Sequence, residues 1–166
     1  MNKIRQIITY CIVDYLSAAV SWTFFYTYRK TNIESMALGY NVPLTFDTKY
    51  FITVFTIPLF WLLLYFLNGY YNNIYRKSRL TELGQTLYVT LFGCLIIFFT
   101  LILDDTVYSY QYYYNLFFAL LSFHFFWTYI PRVILTTQTN RKIQRREIFF
   151  NTIVIGSNEK AIKIFK

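Results

Sequence analysis

Few residues of this chain could do chemistry, and most of them lie where charge is costly. Asp14 falls within an apolar stretch running from Ile7 to Tyr28, and His124 within another running from Tyr112 to Leu135. An ionisable side chain in such a stretch faces a bundle interior and pairs with a polar group, or else marks an ion or proton pathway. Cys11, Ser17, Ala18 and Ser21 lie three, four or seven residues from Asp14 and share its helical face. That small, polar stripe is suited to packing on another helix. Thr86, Thr90 and Gly93 form a similar stripe and are its expected partners. The spacing favours an intramembrane polar contact for both Asp14 and His124 over a substrate site.

His124 has no carboxylate or thiol at ligand spacing, and Cys11 and Cys94 sit in different apolar stretches, so the expectation is no metal site and no disulfide. No paired carboxylates and no nucleophile–base set can be read, so no catalytic residue is predicted. Arg76, Lys77 and Arg79 flank Ser78 in a short polar connection, where basic groups beside a membrane can contact a lipid headgroup or phosphate. Ser78 is also placed to cap the helix that follows, with Glu82 in its first turn. A last motif lies near the end. Gly156 and Ala161 match the first and last positions of the dinucleotide fingerprint G-x-G-x-x-G/A, but Asn158 occupies the middle one. A side chain there obstructs the approach of backbone to a pyrophosphate, which argues against bound NAD and predicts no cofactor.

The elements that position these residues are four apolar stretches, Ile7–Tyr28, Tyr50–Tyr71, Leu83–Leu103 and Tyr112–Leu135. Each reaches the roughly 20 helical residues needed to cross a hydrocarbon core about 30 Å thick. Composition agrees: 56% of the 166 residues are hydrophobic and only 14% charged, too few charges for a soluble surface of this size. Lys3 and Arg5, then Arg76, Lys77 and Arg79, then Arg141, Lys142, Arg145 and Arg146 all fall on one side if the chain crosses four times. By the positive-inside rule both termini are cytoplasmic, and this topology accounts for the net charge of +8 without a nucleic-acid partner. Tyr26, Tyr28, Tyr50, Tyr70, Tyr71, Tyr108, Tyr110, Tyr112 and Tyr113 fall where spans meet headgroups and are expected to form anchoring belts. The start of the chain has the outline of a signal peptide, but the apolar run continues past Ser17-Ala18-Ala19 and contains Asp14, so a retained span is expected. Thr31–Thr48, with Gly39 and Pro43, is expected as an outer loop. Pro131 is expected to kink or weaken the inner end of the fourth helix, with Arg132 snorkelling to the headgroups.

Beyond Leu135 the chain turns polar and basic over 136–150, a juxtamembrane helix or linker. Thr152–Ile155 then reads as a buried strand, Gly156 as a turn and Glu159 onwards as a helix. The fold class predicted is therefore an all-α membrane bundle of four transmembrane helices, N-in and C-in. It is followed by the first strand and helix of a Rossmann-like α/β domain, incomplete within residues 151–166. A lone strand and helix cannot bury a core, so a longer protein is expected.

Three segments carry a resemblance: GYYNNIYRKSRLTELGQT at Gly69–Thr86, LDD at Leu103–Asp105 and FNTIVIGSNEKA at Phe150–Ala161, with Thr139–Lys142 in keeping. On these the chain resembles the N-terminal part of the large polyprenyl-phosphate sugar-1-phosphate transferases that initiate bacterial exopolysaccharide synthesis. The resemblance implies four membrane helices, a cytoplasmic Rossmann-like domain and a membrane-associated catalytic domain. It also implies transfer of a sugar phosphate from a nucleotide sugar to undecaprenyl phosphate in the bacterial inner membrane. The family's acidic pair and magnesium site belong to the third part, so the resemblance carries no catalytic residue into these 166 residues and implies magnesium only for the catalytic domain. Membrane lipid, polyprenyl phosphate and nucleotide sugar are the implied partners, with homodimerisation compatible. Two other readings stand beside it. A membrane-anchored nucleotide-sugar dehydratase or epimerase would need NAD, against which Asn158 argues; a channel or transporter piece would use Asp14 and His124, but the second span offers almost no polar lining.

Overall fold

The structure, a computed structural model, describes residues 3–72, 77–104 and 110–145. Among them every regular element is helical. Four long helices, α1 (Lys3–Tyr28), α3 (Thr48–Leu67), α4 (Arg79–Asp104) and α5 (Tyr110–Gln144), are each long and apolar enough to cross a membrane. The strand and turn expected over 151–166, with Gly156, Asn158 and Ala161, lie outside the described residues.

Side-chain pairs set the directions. Gln6 meets Thr139, Tyr10 meets Thr136 and Asp14 meets Arg132, while Phe24 stacks on Trp127, so α1 and α5 run antiparallel in one register. Trp22 and Thr23 meet Thr53 and Tyr50, which makes α3 antiparallel to α1. Thr86 and Glu82 reach Arg132 and Thr136, while Phe98 reaches Tyr113 and Phe117, making α4 antiparallel to α5. Lys3 at the start of α1 and Gln144 at the end of α5 therefore lie at the same end of the bundle, which also holds the α3–α4 connection.

Polarity is inverted relative to a water-soluble bundle. Ile4, Ile8, Ile12, Leu16, Val20 and Phe24 recur every four residues on α1 and all are exposed, as are Phe55, Leu59 and Leu63 on α3. Asp14, Ser17, Ser21, Thr86, Thr90, His124, Thr128, Arg132 and Thr136 are buried. Water would not tolerate that much exposed apolar surface, whereas lipid is the solvent it matches. This arrangement fits a multi-pass membrane protein.

One sequence expectation changes at the end of a helix. Thr31–Thr48 is not wholly a loop: α1 continues into a π-helical segment, Arg29–Glu34, and a short α2, Ser35–Leu38. Glu34 holds this extension by accepting from Lys30 at 2.8 Å and Arg29 at 3.3 Å. Gly39, at φ 74°, ends it by donating its N–H to Ser35 at 3.0 Å. At the other end α5 runs unbroken from Tyr110 through Pro131 to Gln144, so of the expected juxtamembrane helix or linker the residues up to Gln144 are helix. Ser78 caps α4 as expected, accepting the Thr81 N–H at 3.1 Å.

Where α3 faces α4 the contact is made by large rings against a missing side chain. Trp61 and Leu64 fill the space over Gly93, and a Cβ there would overlap the Trp61 ring. That ring cannot easily withdraw, because it is fully buried and stacked on His124 with centroids 3.5 Å apart. Gly93→Ala is therefore expected to cost about 1–3 kcal/mol by overpacking. Gly84→Ala, on the same helix with open space around it, should be neutral or gain up to about 1 kcal/mol from helix propensity. Thermal unfolding of the two variants in detergent micelles checks this, and equal midpoints for the two would refute the packing argument.

Candidate functional site: a buried ionic core between four helices

The polar residues of α1 and α5 converge on one ion pair. Arg132 places its fork on Asp14, donating from Nε to Oδ1 at 2.7 Å and from Nη2 to Oδ2 at 2.9 Å. Tyr71 donates its hydroxyl to the same Oδ2 at 2.8 Å, and Arg132 Nη1 donates to Thr86 at 3.2 Å. Asp14 is 1% exposed and Arg132 0%, so the pair has no water to fall back on and depends on these partners.

The guanidinium is also wedged between two aromatic rings. Its Cζ lies 3.9 Å from the Tyr65 centroid and 3.8 Å from that of Tyr70. A desolvated cation over a ring face gains about 2 kcal/mol. Tyr70 reaches this place through the turn that ends α3. Gly69, at φ 64°, takes the left-handed conformation, and the chain closes with Tyr70 N–H to Tyr65 O and Gly69 N–H to Phe66 O, both 3.0 Å. Such a cap reverses the chain direction. Tyr70 and Tyr71 are accordingly carried back into the bundle, buried to 0% and 6%, instead of joining a headgroup belt.

Around this centre lie two polar satellites. Thr136 donates to Glu82 at 3.2 Å and shares a 3.2 Å contact with the Tyr10 hydroxyl; Gln6 donates to Thr139 at 2.6 Å. Towards the other side, His124 Nε2 lies 2.8 Å from the Tyr65 hydroxyl and 3.3 Å from that of Thr128. Asp14 and His124 thus belong to one connected core. Thr86 reaches Asp14 only through Arg132, so the two small-residue stripes do not meet face to face; an arginine from a third helix stands between them.

Of the basic residues expected at headgroups, Arg79 is exposed, Arg76 lies outside the described residues, and Lys77 is buried with its Nζ 3.0 Å from the Tyr70 ring centroid. Arg132, expected to snorkel, is fully buried instead because Asp14 offers it a closer anion than any phosphate. Sequence reasoning missed it for lack of one pattern: His124, Thr128, Arg132 and Thr136 recur every four residues on α5. That is a polar stripe pointing into the bundle.

As chemistry, this constellation is a lock. Each carboxylate oxygen of Asp14 and each nitrogen of the Arg132 fork is already engaged within the protein, and a solute would have to break those bonds to use them. No group of three His, Cys, Asp or Glu residues able to hold a metal occurs among the described residues, and both cysteines are free thiols. Compared with models of protein families, with curated proteins and with solved structures, the chain matches none.

Two expectations follow. Asp14→Ala or Arg132→Ala leaves its partner buried and unpaired, at about 3–5 kcal/mol, while the double substitution Asp14→Leu with Arg132→Met should cost far less than the sum. A thermal double-mutant cycle in detergent measures the coupling, and strictly additive losses would rule out the lock. The second concerns pH. Burial first, then the charge of Arg132, lower the Lys77 ammonium from 10.5 to about 7, with Asp14 acting the other way. A lysine with a lowered folded-state value gains a proton on unfolding, so its penalty on folding is full below about pH 7 and fades as pH rises toward 10.5. The bundle should unfold at higher temperature at about pH 9 than at about pH 6, with Lys77→Met flattening that difference; a slope that survives the substitution would assign it to another group.

Proposed function

We propose that this chain is the membrane-anchoring module of a bacterial enzyme that transfers a sugar-1-phosphate from a nucleotide sugar to undecaprenyl phosphate, with the bundle in the inner membrane and both ends of it in the cytoplasm. The observation that carries the reading is the resemblance over Gly69–Thr86, Leu103–Asp105 and Phe150–Ala161, which spans the bundle and the segment after it. Two features of the bundle support it. Asp14, Arg132 and His124 are consumed in holding helices together, as an anchor requires and a solute pathway does not. And α5, at 35 residues and about 52 Å, outreaches a hydrocarbon core of about 30 Å, so it can carry chain rigidly away from the membrane. The cytoplasmic assignment rests on the basic residues gathered at that end, Arg5, Lys77, Arg79, Arg141, Lys142 and Arg145.

On this reading the catalytic acidic residues, and the magnesium they hold, lie outside these residues, and the bundle contributes position. Phosphoryl transfer depends mostly on positioning and charge stabilisation, and confining the catalytic part to the membrane surface supplies the first. The test uses membranes expressing the whole reading frame that contains residues 1–166, supplied with radiolabelled UDP-sugars and undecaprenyl phosphate. Label in the lipid fraction together with released UMP is the expected result. A product altered within the nucleotide sugar, with no lipid label, would transfer the assignment to the dehydratase class and sink the transferase reading.

A further inference from the structure

At the end of the bundle where α1 begins and α5 leaves, the two helices part around a cavity of about 320 Å³ lined by Arg5, Gln6, Thr9, Tyr10, Leu135, Gln138, Thr139 and Lys142. Each helix contributes one cation, Arg5 and Lys142, both exposed and neither paired with a carboxylate among the described residues. Among the described residues no carboxylate lines the cavity. Its inner wall holds an unmet demand: Gln6 is 9% exposed and uses its amide nitrogen on Thr139, which leaves Oε1 buried without a hydrogen-bond partner. Turning the amide over would free the nitrogen instead, so one polar atom of Gln6 stays unused in either orientation. A buried polar atom left without a partner costs about 1–3 kcal/mol, which a ligand group reaching it would recover.

The position selects the ligand. The cavity lies at the end of the bundle where α1 begins, and its lining residues Thr9 and Leu135 follow the exposed Ile8 and Ile134 in sequence, so it opens at the depth where lipid headgroups must lie if the bundle crosses a bilayer. Two cations suit a phosphate, and a polar atom behind them suits a headgroup that carries a hydroxyl. We propose that the α1–α5 cleft binds the headgroup of an anionic phospholipid of the phosphatidylglycerol type, its phosphate held by Arg5 and Lys142 and its glycerol hydroxyl donating to Gln6. The inference is independent of the transferase activity. It needs only a membrane-embedded bundle.

Native mass spectrometry of the chain released from detergent micelles tests it, with phosphatidylglycerol, phosphatidylcholine and inorganic phosphate as probes. Expected is a one-to-one phosphatidylglycerol adduct that phosphatidylcholine does not match and excess inorganic phosphate does not displace. Arg5→Gln with Lys142→Gln should weaken it about 30-fold, from the loss of two cations near the lipid. Arg141→Gln with Arg145→Gln removes the same charge from exposed sites at and just beyond the end of α5 that do not line the cavity, and should leave the adduct within about twofold. Both pairs lie on the surface, and an unchanged thermal midpoint verifies that they fold. Equal retention of the two lipids, or an equal loss in the control pair, would reduce the effect to general surface charge and overturn the site. Displacement by inorganic phosphate would overturn the lipid as its occupant.

Discussion

An arginine and an aspartate inside an apolar bundle each forbid the other's absence, and the architecture depends on that mutual constraint. Taking either charge out of water costs several kcal/mol, which only close, well-directed partners can offset. Arg132 meets Asp14 through two parallel hydrogen bonds at 2.7 and 2.9 Å. Such a fork tolerates little rotation or sliding. It therefore fixes α1 beside α5, antiparallel, in one register, and the neighbouring pairs Tyr10–Thr136 and Gln6–Thr139 follow one turn at a time. The remaining nitrogen of the fork reaches Thr86 and brings in α4; Tyr71 on the second oxygen of Asp14 brings in the turn after α3. One pair of charges thereby touches every span.

The rest of the packing serves this centre by excluding water and lipid from it. In a membrane, apolar contact between helices gains little over apolar contact with acyl chains, so association comes from close packing and hydrogen bonds. Both are present. Trp61 lies over Gly93 and stacks on His124, whose Nε2 is tied to Tyr65, and Tyr65 in turn covers Arg132. The column runs from the α3–α4 contact to the ion pair without a break. Lys77, whose ammonium sits over Tyr70 without a hydrogen-bond partner, is the strained member of the arrangement, since burial and Arg132 both work against its charge.

Much of the fold was legible because lipid imposes long uninterrupted periods. The four apolar stretches, the burial of Asp14 with Ser17, Ala18 and Ser21, and the cap at Ser78 could each be read from spacing alone. What spacing on single helices could not supply was partnership. Arg132 stands beside a span end, where an arginine can equally snorkel outward, and only the stripe it shares with His124, Thr128 and Thr136 tells the two apart. Tyr70 and Tyr71 fail for a related reason. Their place after a span suggests the interface, but Gly69 in a left-handed turn reverses the chain and buries both, and a glycine beside an aromatic pair does not announce its φ. The extension of α1 through Glu34 was hidden because its charges, which read as loop, satisfy one another across one turn.

Locking the bundle through α5 in particular has a mechanical consequence. The helix that carries Arg132 also carries Arg141 and Lys142, with no break in its hydrogen-bonded backbone between them. Gln144 lies twelve positions beyond Arg132, about 18 Å of helix at about 1.5 Å per residue. A rigid rod clamped by a bidentate pair at one end holds the direction in which it leaves the bundle, where a flexible linker of the same length would not. On the transferase reading, that direction aims the following domains along the membrane surface, where a lipid-linked acceptor phosphate lies. An energetically expensive ion pair then has a use beyond stability: it converts a membrane tether, which restricts only distance, into a mount that restricts orientation as well.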